Sequence, residues 1–225
     1  MRKGAHEVAG RTLEGVASTL AGAIAWGFSG TCVQYLFAST SMDALLLTTI
    51  RELGAGLVFL VTLALRHRTT LRAMARDRDT LRRIAVFGSC GLFLNSAVYA
   101  ATIFYTNAGT ATVLQSLNIV LVLGVSCVVG RRFPRWRELV ALVCALLAVY
   151  LIATHGDPST LQLPLLGLVF GLATAAAATF YTMYPRPLFE RWGSFAVTGL
   201  GMLVGGLTGL TVCAVSGTFA KGLPA

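Results

Sequence analysis

The chain has 225 residues, of which 56% are hydrophobic and only 12% charged, and its mean hydropathy is +0.74. Soluble domains carry about a quarter charged residues, so a soluble enzyme or DNA-binding module is excluded and an all-α polytopic membrane protein is expected. The net charge of +9 would suit a nucleic-acid partner, but the basic residues fall on alternate connections between apolar runs, which is the pattern of membrane topology.

Residues 1–15 are polar and mixed in charge and read as a cytoplasmic N-terminal segment. The first apolar run is long and lacks a small-x-small cleavage site, so it reads as a retained span. Runs long enough to cross about 30 Å of hydrocarbon as helices fall at residues 16–38, 44–65, 84–105, 108–129, 139–154, 165–184 and 195–215, which gives seven expected spans. They are continuous and do not alternate with period two, so strands of a barrel are excluded. Cys32, Cys90, Cys127, Cys144 and Cys213 stand singly in these runs without CxxC spacing. They read as small buried hydrophobes, not as a disulfide or metal framework.

Connections on one side carry Arg2, Lys3 and Arg11, then seven arginines between Arg66 and Arg83, then Arg131, Arg132, Arg135 and Arg137, then Arg186 and Arg191. The opposite side holds Lys221 alone. The positive-inside rule places the N-terminus in the cytoplasm and the tail at residues 216–225 outside. Residues 66–83 mix arginine with Leu, Ala, Met and Asp but lack the aromatics that would stack bases. This stretch reads as an amphipathic segment on anionic headgroups, and no nucleic-acid partner is expected.

At an offset of 152 residues, Gly15 falls on Gly167, Leu20 on Leu172, Ala21, Ala23 and Ala25 on Ala173, Ala175 and Ala177, Phe28 on Phe180, and Leu36-Phe37 on Leu188-Phe189. The copies lie five spans apart and would cross the membrane in opposite senses, as the inverted repeats of secondary transporters do. The expected organisation is a five-helix repeat over residues 16–154 and the first two helices of a second copy over residues 165–215. The remaining surface would come from missing C-terminal spans or from another subunit, such as a second copy.

Polar residues inside the spans mark the candidate site. Asn95, Tyr99, Thr102 and Thr106 recur at steps of four, three and four, and Thr112, Gln115 and Asn118 at steps of three, so each set shares a helical face. The two faces are joined by the turn at residues 106–109. Arg51 and Glu52 lie early in the second span, where a charge costs about 2.5–3.5 kcal/mol on insertion scales and must face protein or water. Neighbouring helical residues diverge by about 100°, so the two are not expected to pair. Arg51 reads either as a cation for an anionic solute or as a snorkelling residue near the outer interface. Trp26, Ser29, Arg51, Asn95, Tyr99, Gln115, Asn118 and Tyr181 form the expected substrate-binding set around a midplane cavity. Tyr35, Tyr105 and Tyr184 lie near span ends and read as interfacial aromatics.

Gly27-Phe28-Ser29-Gly30 resembles the GxSG nucleophile motif of rhomboid intramembrane proteases. His155, at the outer end of the fifth expected span, is the only candidate base, since His6 and His67 read as cytoplasmic, and the motif stands in the first span, so close helix approach explains it better. There is no Walker A sequence, HExxH or acidic metal cluster. No cofactor, metal or enzymatic activity is expected.

Ala21-Gly22-Ala23-Ile24-Ala25-Trp26-Gly27 opening the first span, Arg51 within the second, the hairpin at Tyr105-Thr106-Asn107-Ala108, and a fifth span after a short basic connection together resemble the EamA domain of the drug/metabolite transporter superfamily. The resemblance implies two inverted five-helix repeats, no ATPase, and small metabolites as cargo, often exported. Asn118 stands where the family usually has proline, and Arg131-Arg132 where it usually has glutamate. The resulting expectation is a plasma (inner) membrane exporter of small polar or anionic solutes working by alternating access. The alternatives are a non-transporting fragment or assembly partner, and a protease acting through Ser29.

Overall fold

The computed structural model describes residues 2–40, 42–154 and 163–218, with residues 2–14, 149 and 152–154 described by backbone alone. Among them there are helices and no strands. In chain order these are α1 (Arg2–Ser39), α2 (Ala44–Arg66), α3 (Arg68–Arg76), α4 (Arg78–Val86), a π-helical segment (Phe87–Phe93), α5 (Leu94–Tyr105), α6 (Ala108–Ser116), α7 (Asn118–Val129), α8 (Trp136–Thr154), α9 (Leu165–Met183), α10 (Arg186–Trp192) and α11 (Ser194–Ser216). Among the described residues, six stretches are long and apolar enough to cross a membrane: Gly15–Ser39, Ala44–Arg66, Arg78–Tyr105, Ala108–Val129, Leu165–Trp192 and Ser194–Ser216. The chain is an all-α polytopic membrane protein. The expected span at residues 139–154 lies in α8, a helix of 19 residues outside those six.

Local chemistry sets the helix ends. Asp43 caps α2 by accepting from the Leu45 amide at 2.7 Å, and Asn107 caps α6 by accepting from the Thr110 amide at 2.9 Å. Gly193 joins α10 to α11 at φ +80°, a left-handed conformation that a side chain would strain. The 66–83 connection is helical: α3 buries Met74 while its arginines stay outside, matching the amphipathic expectation.

Asp77 organises that end of the bundle. Its carboxylate caps α4 through the Asp79 and Thr80 amides, accepts from the Thr80 hydroxyl, and pairs with Arg191 at 2.9 Å. The Thr80 amide, more than any other contact, holds the Asp77 carboxyl below its usual range. The Trp192 indole donates to Thr80 at 3.0 Å, so α10 is tied to α4 by a charge and a hydrogen bond.

The apolar core lies in two layers. One surrounds Leu63, Met74, Ile84, Phe87, Leu92 and Val197, and the other surrounds Val33, Leu47, Tyr99, Ile103 and Ala111. On α2 the charged pair Arg51–Glu52 lies between Leu47 of one layer and Leu63 of the other, and Asn95–Ser96 are flanked likewise by Leu92 and Tyr99. The polar residues thus occupy the level between the layers. Of the cysteines, Cys213 is buried and Cys127 half-buried, whereas Cys32, Cys90 and Cys144 are exposed. The expected burial therefore holds for Cys213; a thiol is apolar enough to face lipid at the other positions.

Two irregularities interrupt the spans. The third is α-helical at both ends but π-helical over Phe87–Phe93, where the Leu94 amide donates to the Ser89 carbonyl. The fourth tightens at Leu117, whose amide donates to Leu114, three residues back. Gln115 and Asn118 flank that break.

Candidate functional site

Arg51 leaves α2 towards α1 and donates from its guanidinium to Ser29 Oγ at 2.8 Å. Ser29 is thereby held as a partner of a cation. Across the hairpin, Gln115 Nε2 lies 3.5 Å from Asn95 Oδ1, and the Tyr99 hydroxyl meets Thr112 Oγ1 at 2.9 Å. Thr112 already donates to the Ala108 carbonyl at 2.8 Å, so Tyr99 is the donor to it. The Gln34 side chain accepts from the Ala108 amide at 2.9 Å and ties α1 to the hairpin turn.

Two cavities meet at this level. The larger, about 390 Å³, lies between α1, the α6–α7 span and α9, and its wall includes Trp26, Gln115, Asn118, Ile119 and Tyr181. The smaller, about 90 Å³, is walled by Trp26, Ser29, Arg51, Asn95, Tyr99 and Gln115 among others. Trp26 and Gln115 belong to both. All eight residues expected from the sequence line one or the other. A third cavity of about 180 Å³ shares Arg51 and Ser96 with the second and adds Thr48, Glu52, Ala55 and Met202.

Not every polar residue of the hairpin joins this set. Thr102 is fully buried and meets Thr174 of α9 at 3.1 Å, and Thr106 donates to its own helix at the Thr102 carbonyl. The lower half of the α5 face binds the cavity, while the upper half clamps α9. Ser96 escaped the sequence reading, and Thr112 was read as part of the polar face but not of the binding set, because single hydroxyls are common in spans and usually bond their own backbone. Glu52 was visible as a charge in a span, but its partner was not. Arg51 and Glu52 diverge as helical geometry requires: Arg51 reaches Ser29, and Glu52 accepts from Ser96 on α5 at 2.8 Å.

Chemically, the larger chamber offers aromatic and aliphatic surface beside amide and hydroxyl groups, and the smaller one ends at a guanidinium. The larger chamber, at about 390 Å³, falls in the range of small-molecule sites, about 300–1,000 Å³. His155 lies outside the described residues, and the Ser29 hydroxyl is engaged by Arg51.

A model described as the EamA-like transporter family matches residues 13–154. The chain is also 34% identical over 209 residues to a Salmonella typhimurium protein described as the uncharacterized inner membrane transporter YicL, an alignment that covers 93% of this chain and 69% of the relative. No solved structure matches. The match covers well over half of the sequence and bears out the resemblance read from Trp26, Arg51 and the hairpin: the chain belongs to the EamA-like transporter family and is a multi-pass membrane transporter.

Proposed function

We propose that the protein is a secondary transporter that exports small solutes bearing an anionic group and a compact apolar body, such as amino acids, by alternating access to the paired cavities. The observation that carries this reading is the convergence of eight polar or aromatic residues from α1, α2, α5, α6, α7 and α9 on two adjoining cavities with Arg51 at one pole. A carboxylate or phosphate would replace Ser29 on the guanidinium while Trp26 and Ile119 contact the apolar body. No covalent step is needed, and Ser29 serves as a hydrogen-bond acceptor. Like its Salmonella relative, the protein is assigned to the inner membrane.

The inverted repeat belongs to this proposal. It is supported by the packing of α2 against α11, the helices that would correspond in the two copies, which approach closely at Gly56, Gly205 and Gly206. The α1 and α6–α7 spans wall the larger cavity yet are only 11% buried over their most apolar windows. That exposure favours a wall completed by further helices. Purified protein in nanodiscs, sized with and without cross-linking, should show an assembly larger than one chain if a second copy supplies them.

Proteoliposomes preloaded with each of a panel of labelled amino acids and organic phosphates test the cargo. Counterflow of at least one anionic member is expected, with loss in Arg51→Ala at unchanged thermal stability. Undiminished flux by that variant would remove Arg51 from the mechanism. Labelling of Ser29 by a fluorophosphonate would overturn the non-enzymatic assignment.

A further inference from the structure

Glu52 is 5% exposed, and its two oxygens live in different surroundings. Oε1 accepts from the Ser96 hydroxyl at 2.8 Å. Oε2 is buried with no hydrogen-bond partner among the described residues. α11 comes closest where it carries Gly205: a Cβ there would stand 2.8 Å from Oε2 and 2.9 Å from the Gly88 carbonyl of the π-helical segment. The residue also lines the cavity of about 180 Å³ that holds Arg51, Thr48 and Ser96. A buried acid without a donor on one oxygen, beside a cavity and inside a span, is otherwise a costly thing to keep.

The charged and titratable groups around it are few. Arg51 is its neighbour on α2, and Tyr181 of α9 lines the adjoining larger cavity. α5 presents Ser96 and, one turn on, Tyr99, which is engaged with Thr112. α11 carries no Asp, Glu, Lys, Arg or His, and the π-helical segment has only Cys90, which is exposed. The arginines of α3 begin beyond Arg66, about 20 Å away along the helix. No cation neutralises Oε2 permanently, so the site can hold either form.

We propose that Glu52 is a proton-binding site in the transport path, loaded and unloaded through the cavity it shares with Arg51. One proton from water adds to Oε2 and converts the carboxylate to a neutral acid; Oε1 keeps its bond from Ser96, and release returns the proton to water. The purpose of the site rests on the transport reading, but proton binding itself is testable without any solute.

The test uses the whole protein in liposomes and dicyclohexylcarbodiimide, an apolar reagent that takes the proton of a carboxylic acid on one nitrogen while the carboxyl oxygen bonds its central carbon. Peptide mapping should find Glu52 labelled, with a yield that rises severalfold from about pH 9 to about pH 6, where exposed carboxylates stay ionised. The exposed acids Asp79 and Glu190 serve as the unlabelled comparison. Infrared difference spectra over the same range should show a protonated-carboxyl band in the wild type that Glu52→Gln lacks and Asp79→Asn retains. Absent or pH-invariant labelling at Glu52, or a band that survives Glu52→Gln, would overturn the proposal. Vesicles that label as expected but move no solute would sink the transport reading and leave the proton site standing.

Discussion

Tyr99 and Thr112 show what a polar side chain does at this level of the membrane. Thr112 donates to its own helix, so its remaining capacity is as an acceptor, and the nearly buried Tyr99 hydroxyl fills it. The pair is therefore asymmetric under mutation. Tyr99→Phe removes the donor and leaves a threonine oxygen that already has one bond, which should cost about 0.5–1.5 kcal/mol. Thr112→Val leaves the tyrosine hydroxyl without an acceptor and should cost more, about 1–3 kcal/mol. Thermal unfolding of the two variants in the same detergent checks the order; equal losses would mean that another acceptor serves Tyr99. At this scale the sequence was informative about which residues face inward, because steps of three and four pick out one helical face. Partners were not legible: nothing in the spacing distinguishes Thr112, which completes the site, from Thr102, which clamps α9.

Packing between elements depends on where the backbones can approach. α2 and α11 meet through glycines, and a Cβ on Gly206 would stand 2.6 Å from the Leu53 Cγ and 2.7 Å from the Leu53 amide nitrogen. Backbone cannot yield as a side-chain tip can, so Gly206→Leu should destabilise the fold by about 1–3 kcal/mol or more. Gly124→Ala, on α7 with nothing within 4 Å of its Cβ, should leave the midpoint of thermal unfolding unchanged. A second expectation concerns α4 and α10. The Asp77 carboxyl is held below its usual range in the folded protein, so its contribution is present above the ordinary carboxylate value and is lost as pH falls through the lowered one. Trp192, bonded to Thr80 beside it, reports the change: its acid-range fluorescence transition should vanish in Asp77→Asn. The apolar runs located the spans because their length is set by the bilayer. The π-helical turn at Phe87–Phe93 and the break at Leu117 were hidden, since both arise from packing and neither carries a proline. The run over residues 139–154 was placed by hydropathy, and it lies in α8, a helix of 19 residues outside the six candidate spans.

For the whole molecule, charge distribution makes the most exposed claim. Arg66 and the arginines of α3 and α4 lie at one end of the bundle together with Arg186 and Arg191 of α10, where Asp77 joins the two groups. The C-terminal end of α1, the start of α2 and the turn at Thr106–Asn107 lie at the other end, beside the second core layer. Arginine resists transfer across the membrane during insertion, so the basic end should face the cytoplasm and Thr40 the outside. Single cysteines placed in a cysteine-free background at Thr40 and at Asp79 report this directly in whole cells. A membrane-impermeant maleimide should modify Thr40→Cys in intact cells and Asp79→Cys only after permeabilisation. The reverse pattern would invert the topology. The same experiment bears on the cavities: Arg51 stands two turns from the start of α2, so with this topology its guanidinium lies in the outer half of the membrane, where the proposed export would bring an anion to it on the way out.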